Sequence, residues 1–199
     1  MAFEYWFLLV AVAAFAYTVY QKRPRGWLFR WCEGMPKRPS RVGNGWSFTF
    51  PMQGQGHVNY VQWFTPPSLK NVRELHAYFT IEGSEFQTME HFDPPHPATV
   101  TMIIQRRGDN GSAVGEYQSY RWYSKEMVKL MPGTYSLKIP LDVAHWGDIY
   151  NGHDDALFQK ACQNVESIGL VFGSAGGRGH GVCATARCTF TLLSMETVK

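Results

Sequence analysis

The sequence between residues 46 and 195 consists of short runs of β-favouring residues separated by glycine, proline and asparagine turns. The run at 74–82 shows the pattern most clearly, because apolar Leu75, Ala77 and Phe79 alternate with more polar neighbours. Such alternation is typical of a strand with one buried face. The other runs lie at 46–50, 57–65, 98–107, 116–124, 134–141, 166–174 and 181–195. The series predicts a mainly β fold, an antiparallel β-sandwich over residues 46–199.

One segment of the domain has helical periodicity. Between residues 154 and 164, the side chains of Leu157, Phe158 and Ala161 fall on one face of a helix. Asp154 or Asp155 stands where its carboxylate can accept hydrogen bonds from the free amides of the first turn. We therefore expect one short helix that packs against the sandwich.

The N-terminal segment is apolar. Residues 5–20 read YWFLLVAVAAFAYTVY and carry no charge. With Gln21 the run gives about 25 Å of helix, the short end of what crosses a hydrocarbon core of about 30 Å. Trp6 and Tyr17 are suited to the headgroup level near its ends. The segment predicts a transmembrane anchor over residues 1–21. A cleavable signal peptide is the alternative, since small residues fit a cleavage site, but no basic residue precedes the run.

Basic residues are concentrated directly after this run. Residues 21–41 hold seven of the 19 Lys and Arg residues and a single acid, Glu33, whereas the remainder of the chain is close to neutral. The pattern favours contact with anionic lipid headgroups and gives no support for nucleic-acid binding. By the positive-inside rule it places the domain in the cytoplasm.

Residues 22–45 are predicted to link the anchor to the domain. Three prolines and four glycines oppose a long helix there. Trp27, Phe29 and Trp31 are too apolar for a free tether. With Arg30 beside them, they predict a segment that lies in the headgroups or docks on a neighbouring subunit. The alternative is that these residues pack on the base of their own domain.

The four cysteines show no metal-binding or disulfide framework. Cys32, Cys162, Cys183 and Cys188 include no C-x-x-C pair. Cys183 and Cys188 are five residues apart on one predicted strand, so they would point to opposite faces and could not bridge each other. Reduced, partly buried thiols are expected.

The last third of the sequence resembles the galactose-binding-like jelly rolls, which include non-catalytic carbohydrate-binding modules and domains of assembly factors. The similarity rests on a strand that ends in Pro-Leu, a tryptophan turn, a short helix, an IGLVFGS strand, a G-x-G-H-G-V loop and a final strand. These pieces are Ile139-Pro140-Leu141, Trp146-Gly147, Asp154–Asn164, Ile168–Ser174, Gly179-His180-Gly181-Val182 and Thr189–Ser194. The resemblance covers residues 46–195 and implies a ligand-binding or docking domain without catalysis. Because many such domains act outside the cell, it opposes the cytoplasmic placement.

Several side chains are candidates for ligand binding. In the predicted strand 116–124, Trp122 points to one face while Arg121 and Tyr123 point to the other, so one set belongs to the core and the other to the surface. Trp146 is a further aromatic candidate, although tryptophans in a β-sandwich more often belong to the core. Arg178 and His180 lie at the tip of the glycine-rich loop, residues 174–181, where both are placed to contact a ligand. The alternative for His180 is that it pins the loop by a local hydrogen bond.

No catalytic motif is present in the sequence. Nucleophile elbows, H-E-x-x-H and P-loop patterns are absent, and we expect no enzyme activity, no cofactor and no metal site. We therefore predict a non-enzymatic accessory or docking subunit of a larger membrane complex, with the bilayer and a membrane protein as partners. A membrane-tethered glycan-binding module is the alternative.

Overall fold

The computed structural model describes residues 25–90 and 95–199, which form an antiparallel β-sandwich with one α-helix. The strands are β1 (Gly26–Arg30), β2 (Ser40–Val42), β3 (Gly45–Thr49), β4 (Tyr60–Phe64), β5 (Glu74–Glu82), β6 (Phe86–Thr88), β7 (Thr99–Arg106), β8 (Arg121–Lys129), β9 (Gly133–Pro140), β10 (Trp146–Gly147), β11 (Val165–Gly173), β12 (Val182–Ala184) and β13 (Thr189–Val198). The helix, α1, spans Asp155–Gln163. The prediction of a mainly β sandwich is confirmed.

Two sheets form the sandwich. One has six strands in the order β1-β4-β11-β7-β8-β10, and the other has five in the order β2-β3-β13-β5-β9. A separate two-stranded pair joins β12 to β6. Few neighbouring strands are consecutive in sequence, so the chain passes repeatedly between the sheets. Loops from distant parts of the sequence are thereby brought together at the strand ends.

Aromatic side chains fill the space between the two sheets. Phe48, Phe79 and Phe190 come from the five-stranded sheet, and Phe172 on β11 contacts Phe48 and Phe190 from the six-stranded sheet. The contacting rings have centroids 4.9 to 5.8 Å apart. On β5 the buried residues alternate strictly with less buried ones, as predicted for 74–82. The core therefore depends on large rings that interdigitate across the interface.

Helix α1 covers one end of the core, beside β7 and β8. Asp154 is its N-cap residue, and its Oδ1 accepts a hydrogen bond from the amide of Leu157 at 3.0 Å. Phe158 is completely buried and packs against Trp122 and Trp146, with centroid distances of 5.1 and 5.9 Å. The predicted helix and its apolar face are confirmed, and of the two predicted cap residues Asp154 is the one that caps it.

Two predicted strands have different bounds in the structure. The segment 181–195 forms two strands, β12 and β13, so Cys183 and Cys188 do not share one strand. The segment 116–124 begins with a 3-10 turn over Gly115–Ser119, and β8 starts only at Arg121. All four cysteines are free.

The predicted linker over 22–45 needs correction, because part of it belongs to the sandwich. β1 pairs with β4 at the edge of the six-stranded sheet, and β2 pairs with β3 in the other sheet. Trp27 packs on Trp46 with a centroid distance of 5.2 Å, and Phe29 packs on Phe48 at 5.3 Å. For these two residues, the alternative of packing on their own domain is confirmed. Within the described residues, the sandwich therefore includes β1 and β2 in addition to the strands from Gly45 onward.

The predicted anchor over 1–21, with Trp6 and Tyr17, lies outside the described residues. Within residues 25–90 and 95–199, no helix has the length and apolar character needed to cross a bilayer.

Candidate functional site

The six-stranded sheet has a second face, turned away from the main core. Alternation along β4 places Val61 in the main core and Tyr60 on the opposite face. There Tyr60 forms a small separate cluster with Ile103, Tyr123 and Val171. A sheet face that carries polar and aromatic side chains outside the core can serve as the floor of a binding site.

A hydrogen-bonded network of polar side chains extends along this second face. Gln62 on β4 donates from Nε2 to Oε1 of Gln105 on β7 at 2.7 Å, and the hydroxyl of Ser167 on β11 donates to the same oxygen at 3.0 Å. Gln105 in turn donates from Nε2 to Oδ2 of Asp109 at 2.8 Å. These side chains are buried. The network orients Asp109, which stands at the end of the row.

Asp109 forms a buried ion pair with Arg121. The Arg121 Nε lies 3.2 Å from Oδ2 of Asp109, and the side chains are 10% and 0% exposed, respectively. Arg121 also donates from Nη2 to the carbonyl oxygens of Gly111 and Ser112, at 3.1 and 2.5 Å. Oδ1 of Asp109 accepts a hydrogen bond from the amide of Gly111 at 2.9 Å. The pair therefore holds the loop after β7 against the start of β8.

Tyr60 and Tyr123 meet beside this ion pair. Their hydroxyl groups form a hydrogen bond of 3.0 Å across β4 and β8, and both side chains are buried. Burial raises the pKa of Tyr60 above its usual value. Burial and the neighbouring Tyr60 raise the pKa of Tyr123 well above that value. The two phenols therefore remain neutral hydrogen-bonding groups at physiological pH.

Ionisation of Tyr60 and Tyr123 is expected to make the folded protein less stable at alkaline pH. In the unfolded chain the phenols ionise near pH 10.0, whereas burial keeps them protonated at that pH in the folded chain. Their contribution is thus fully present below pH 10 and is lost as the pH rises further. Denaturant unfolding at increasing alkaline pH should show this loss, and Tyr123→Phe should reduce it. An equal alkaline loss in the parent and in Tyr123→Phe would contradict the assignment.

Loops close around this floor and form a cleft of about 310 Å³. One wall is the 148–153 loop, where Oδ1 of Asp148 accepts hydrogen bonds from the amides of Tyr150 and Gly152 at 2.8 and 2.7 Å. Tyr150 donates its hydroxyl to the carbonyl of Ala113 on the opposite loop at 3.0 Å. The residue nevertheless remains 66% exposed. An aromatic ring is therefore fixed at the rim of the cleft and open to solvent.

The glycine-rich loop forms the second wall of the cleft. Gly179 has φ of +80°, and a Cβ atom there would lie 2.0 Å from the Tyr60 hydroxyl. Only glycine allows the backbone to approach the cleft floor so closely. Asn59 holds the loop by donating from Nδ2 to the Gly179 carbonyl at 2.9 Å.

Glu90 contacts two residues of the glycine-rich loop, Ser174 and His180. The Ser174 hydroxyl donates to Oε2 of Glu90 at 2.5 Å, and Ser174 Oγ accepts a hydrogen bond from the Gly177 amide at 3.0 Å. His180 Nδ1 lies 3.1 Å from Oε1 of Glu90. This contact connects His180 to the loop at ion-pair distance, without the predicted hydrogen bond, and most of the His180 side chain is exposed.

Arg178 extends from the same loop to the cleft. Its Nη1 donates to Oδ1 of Asn151 at 3.0 Å, and its Nε is buried without a hydrogen-bond partner. Burial lowers the pKa of this guanidinium below its usual value. Among residues 25–90 and 95–199, no carboxylate forms an ion pair with Arg178. Arg178 therefore has hydrogen-bonding capacity available for a ligand.

The structure separates the predicted ligand-binding residues into two groups. Arg121, Tyr123, Arg178 and His180 all line the cleft. The two tryptophans, at positions 122 and 146, are 0% exposed and pack on α1, so neither ring has a face open to a ligand. The strand alternation predicted the opposite faces of 121–123, but the surface placement is wrong for Arg121 and Tyr123, which are 8% and 4% exposed. The direct role of the cleft residues in binding stays a prediction.

The residues predicted to bind a partner or the membrane are also divided. Trp27 and Phe29 pack against the main core, whereas Trp31 is 42% exposed. The Trp31 ring meets Tyr60 edge-on at 4.9 Å and lies beneath the Arg30 guanidinium at 5.0 Å. Trp31 has a φ of +53°, which is a strained conformation for a bulky residue. Trp31 therefore lies next to the cleft floor and not in a separate linker segment.

The cleft also contains residues that were not among the predicted ligand-binding residues. Tyr60, Asp148, Tyr150 and Asn151 line it, and Asp109 supports it. Nothing local to the turn at Gly108 to Gly111 indicates that Asp109 pairs with Arg121. Within the part of the chain that the structure describes, no three His, Cys, Asp or Glu side chains converge as metal ligands.

The arrangement offers hydrogen bonding and ring stacking to a polar ligand. Comparison of the sequence with family models and with curated proteins found no match. The function of this domain is therefore inferred from the chemistry of the cleft.

Proposed function

We propose that this protein is a non-catalytic, membrane-tethered domain of the galactose-binding-like jelly-roll type, and that its cleft binds a saccharide. The observation that carries the proposal is the exposed Tyr150 ring, which is fixed at the cleft rim beside Arg178 and Asn151. A pyranose has an apolar face that stacks on an aromatic ring and a rim of hydroxyl groups. Planar guanidinium and amide groups bind such hydroxyls in defined directions.

The cleft floor supports the same ligand chemistry. The phenols of Tyr60 and Tyr123 each act as hydrogen-bond donor and acceptor, as a sugar hydroxyl does. Their raised pKa values keep them neutral. Asp109 balances the charge of Arg121, and the Asp148 carboxylate lines the cleft together with Arg178. A site with balanced charges matches a neutral saccharide better than a highly charged ligand.

Tyr150→Ala is expected to weaken saccharide binding about tenfold or more, because it removes the exposed ring of the site. Binding would be measured by probing an array of neutral oligosaccharides with the labelled full chain in non-ionic detergent, followed by calorimetry on the best ligand. Tyr150→Phe should keep most of the affinity, since it retains the ring and loses only the hydrogen bond to Ala113.

Tyr78→Ala is the matched control, because this half-exposed tyrosine lies on β5, in the other sheet. It should leave the affinity unchanged. The proposal would fail if no oligosaccharide bound, or if Tyr150→Ala and Tyr78→Ala had the same effect.

A second candidate function is supported by Trp31. An exposed tryptophan stacked with arginine is a typical anchor for a protein partner. This favours an accessory or docking subunit of a membrane complex, in which the face carrying Trp31 contacts a neighbouring protein. Purification of the full chain in mild detergent discriminates the two functions. A stoichiometric partner that is lost in Trp31→Ala, together with a cytoplasmic domain, would support the subunit.

A further inference from the structure

We propose that the domain has a second site, which binds the headgroup of an anionic phospholipid in a groove beside the first residue of β1. The groove measures about 360 Å³ and is lined by Trp27, Arg38, Arg41 and Trp46, among others. It is independent of the saccharide cleft, because no residue lines both.

The charge of this groove is not balanced by the protein. Both Arg38 and Arg41 are exposed, and neither forms an ion pair within residues 25–90 and 95–199. Glu33, the only acid between residues 21 and 41, lies instead 3.6 Å from His57. Two uncompensated guanidinium groups at one groove provide the planar donors that bind a phosphate diester.

Indole rings complete the groove. Trp27 and Trp46 pack together, with a centroid distance of 5.2 Å, and both line the groove beside the arginines. The Nε1 of Trp46 is buried and has no hydrogen-bond partner in the described residues. Indole beside arginine is also the pairing that suits the headgroup level of a membrane.

The position of the groove indicates a lipid rather than a free anion. An Nη1 atom of Arg38 lies beside Gly26, close enough that a Cβ there would be 3.2 Å from it. The uncharged run predicted to be the anchor, residues 5–20, ends only five positions before Arg25. A chain that leaves a bilayer there places the groove within reach of the headgroups.

The experiment measures lipid binding to the full chain in non-ionic detergent by native mass spectrometry. The probes are dioctanoyl phosphatidylglycerol, dioctanoyl phosphatidylcholine and inorganic phosphate. We expect the phosphatidylglycerol to bind in preference to the other two. In the double variant R38A/R41A its affinity should fall about thirtyfold, in line with the usual contribution of two basic residues at a membrane surface.

Lys129→Ala combined with Arg187→Ala is the matched control. Both residues are exposed and basic, and neither lines the groove. This variant should bind phosphatidylglycerol as the parent does. Equal binding by R38A/R41A and the parent would overturn the proposal, because the lipid would then be held elsewhere on the chain. Equal affinity for phosphatidylcholine, or for inorganic phosphate, would also overturn it.

Discussion

Asp109→Ala is expected to lower the free energy of unfolding by about 3–5 kcal/mol, because it leaves the Arg121 charge buried without its partner. The Asp109 side chain is completely buried and accepts hydrogen bonds from Gln105 and from the Gly111 amide as well. Its removal thus leaves three donors without their acceptor, namely Arg121 Nε, Gln105 Nε2 and the Gly111 amide. Denaturant unfolding of the full chain in detergent, followed by circular dichroism, measures the change.

Two further variants test the cause of this loss. Replacing both partners, as Asp109→Leu with Arg121→Met, should recover much of the stability, since no charge then remains buried. Glu33→Ala breaks a contact with His57 in which the Glu33 side chain is largely exposed. It should leave the unfolding transition almost unchanged. A double variant less stable than Asp109→Ala would show that the buried charge is not the cause.

Trp122→Ala is expected to cost about 3–5 kcal/mol of stability without changing the affinity of the folded protein for its ligand. The ring is 0% exposed, packs on Phe158, and donates from Nε1 to the Ser119 carbonyl at 2.8 Å. Its loss creates a cavity between the sheet and α1. Trp122→Phe, which keeps an aromatic ring, should cost less.

Arg178→Ala provides the opposite case. This half-buried side chain lines the cleft and makes one hydrogen bond, to Asn151, so its removal should weaken ligand binding and cost little stability. Unfolding curves and calorimetric titrations of both variants separate the two effects. A loss of affinity in Trp122→Ala, measured where the variant is fully folded, would show that the tryptophan contributes to the site from the core.

Local patterns in the sequence predicted the elements that local forces stabilise. The strand predicted at 74–82 has the bounds of β5. Its buried face could be predicted too, because the alternation of apolar and polar residues determines which face is buried. The helix predicted at 154–164 exceeds α1 by only one residue at each end. Its start could be predicted because capping by Asp154 is a short-range interaction. The same alternation separated Trp122 from Arg121 and Tyr123.

Features that depend on distant pairing could not be predicted in this way. β1 pairs with a strand that begins at Tyr60, and nothing within 26–30 indicates that partner. The aromatic residues of β1 resemble an interfacial segment because membranes and protein cores favour the same side chains. Asp109 and Tyr150 belong to the site only through loops that the sheet order brings together.

If residues 1–21 anchor the domain in a bilayer, as we propose, β1 has a mechanical consequence. The strand begins at Gly26 and is hydrogen-bonded into the sheet, so only four residues separate it from the end of that segment. Four residues span at most about 14 Å, and β1 itself adds about 17 Å before Trp31 and the cleft. Neighbouring copies in one bilayer would then present their clefts at the same height. They could bind one polymer that lies parallel to the membrane at several points, so that weak single contacts would add up to strong attachment.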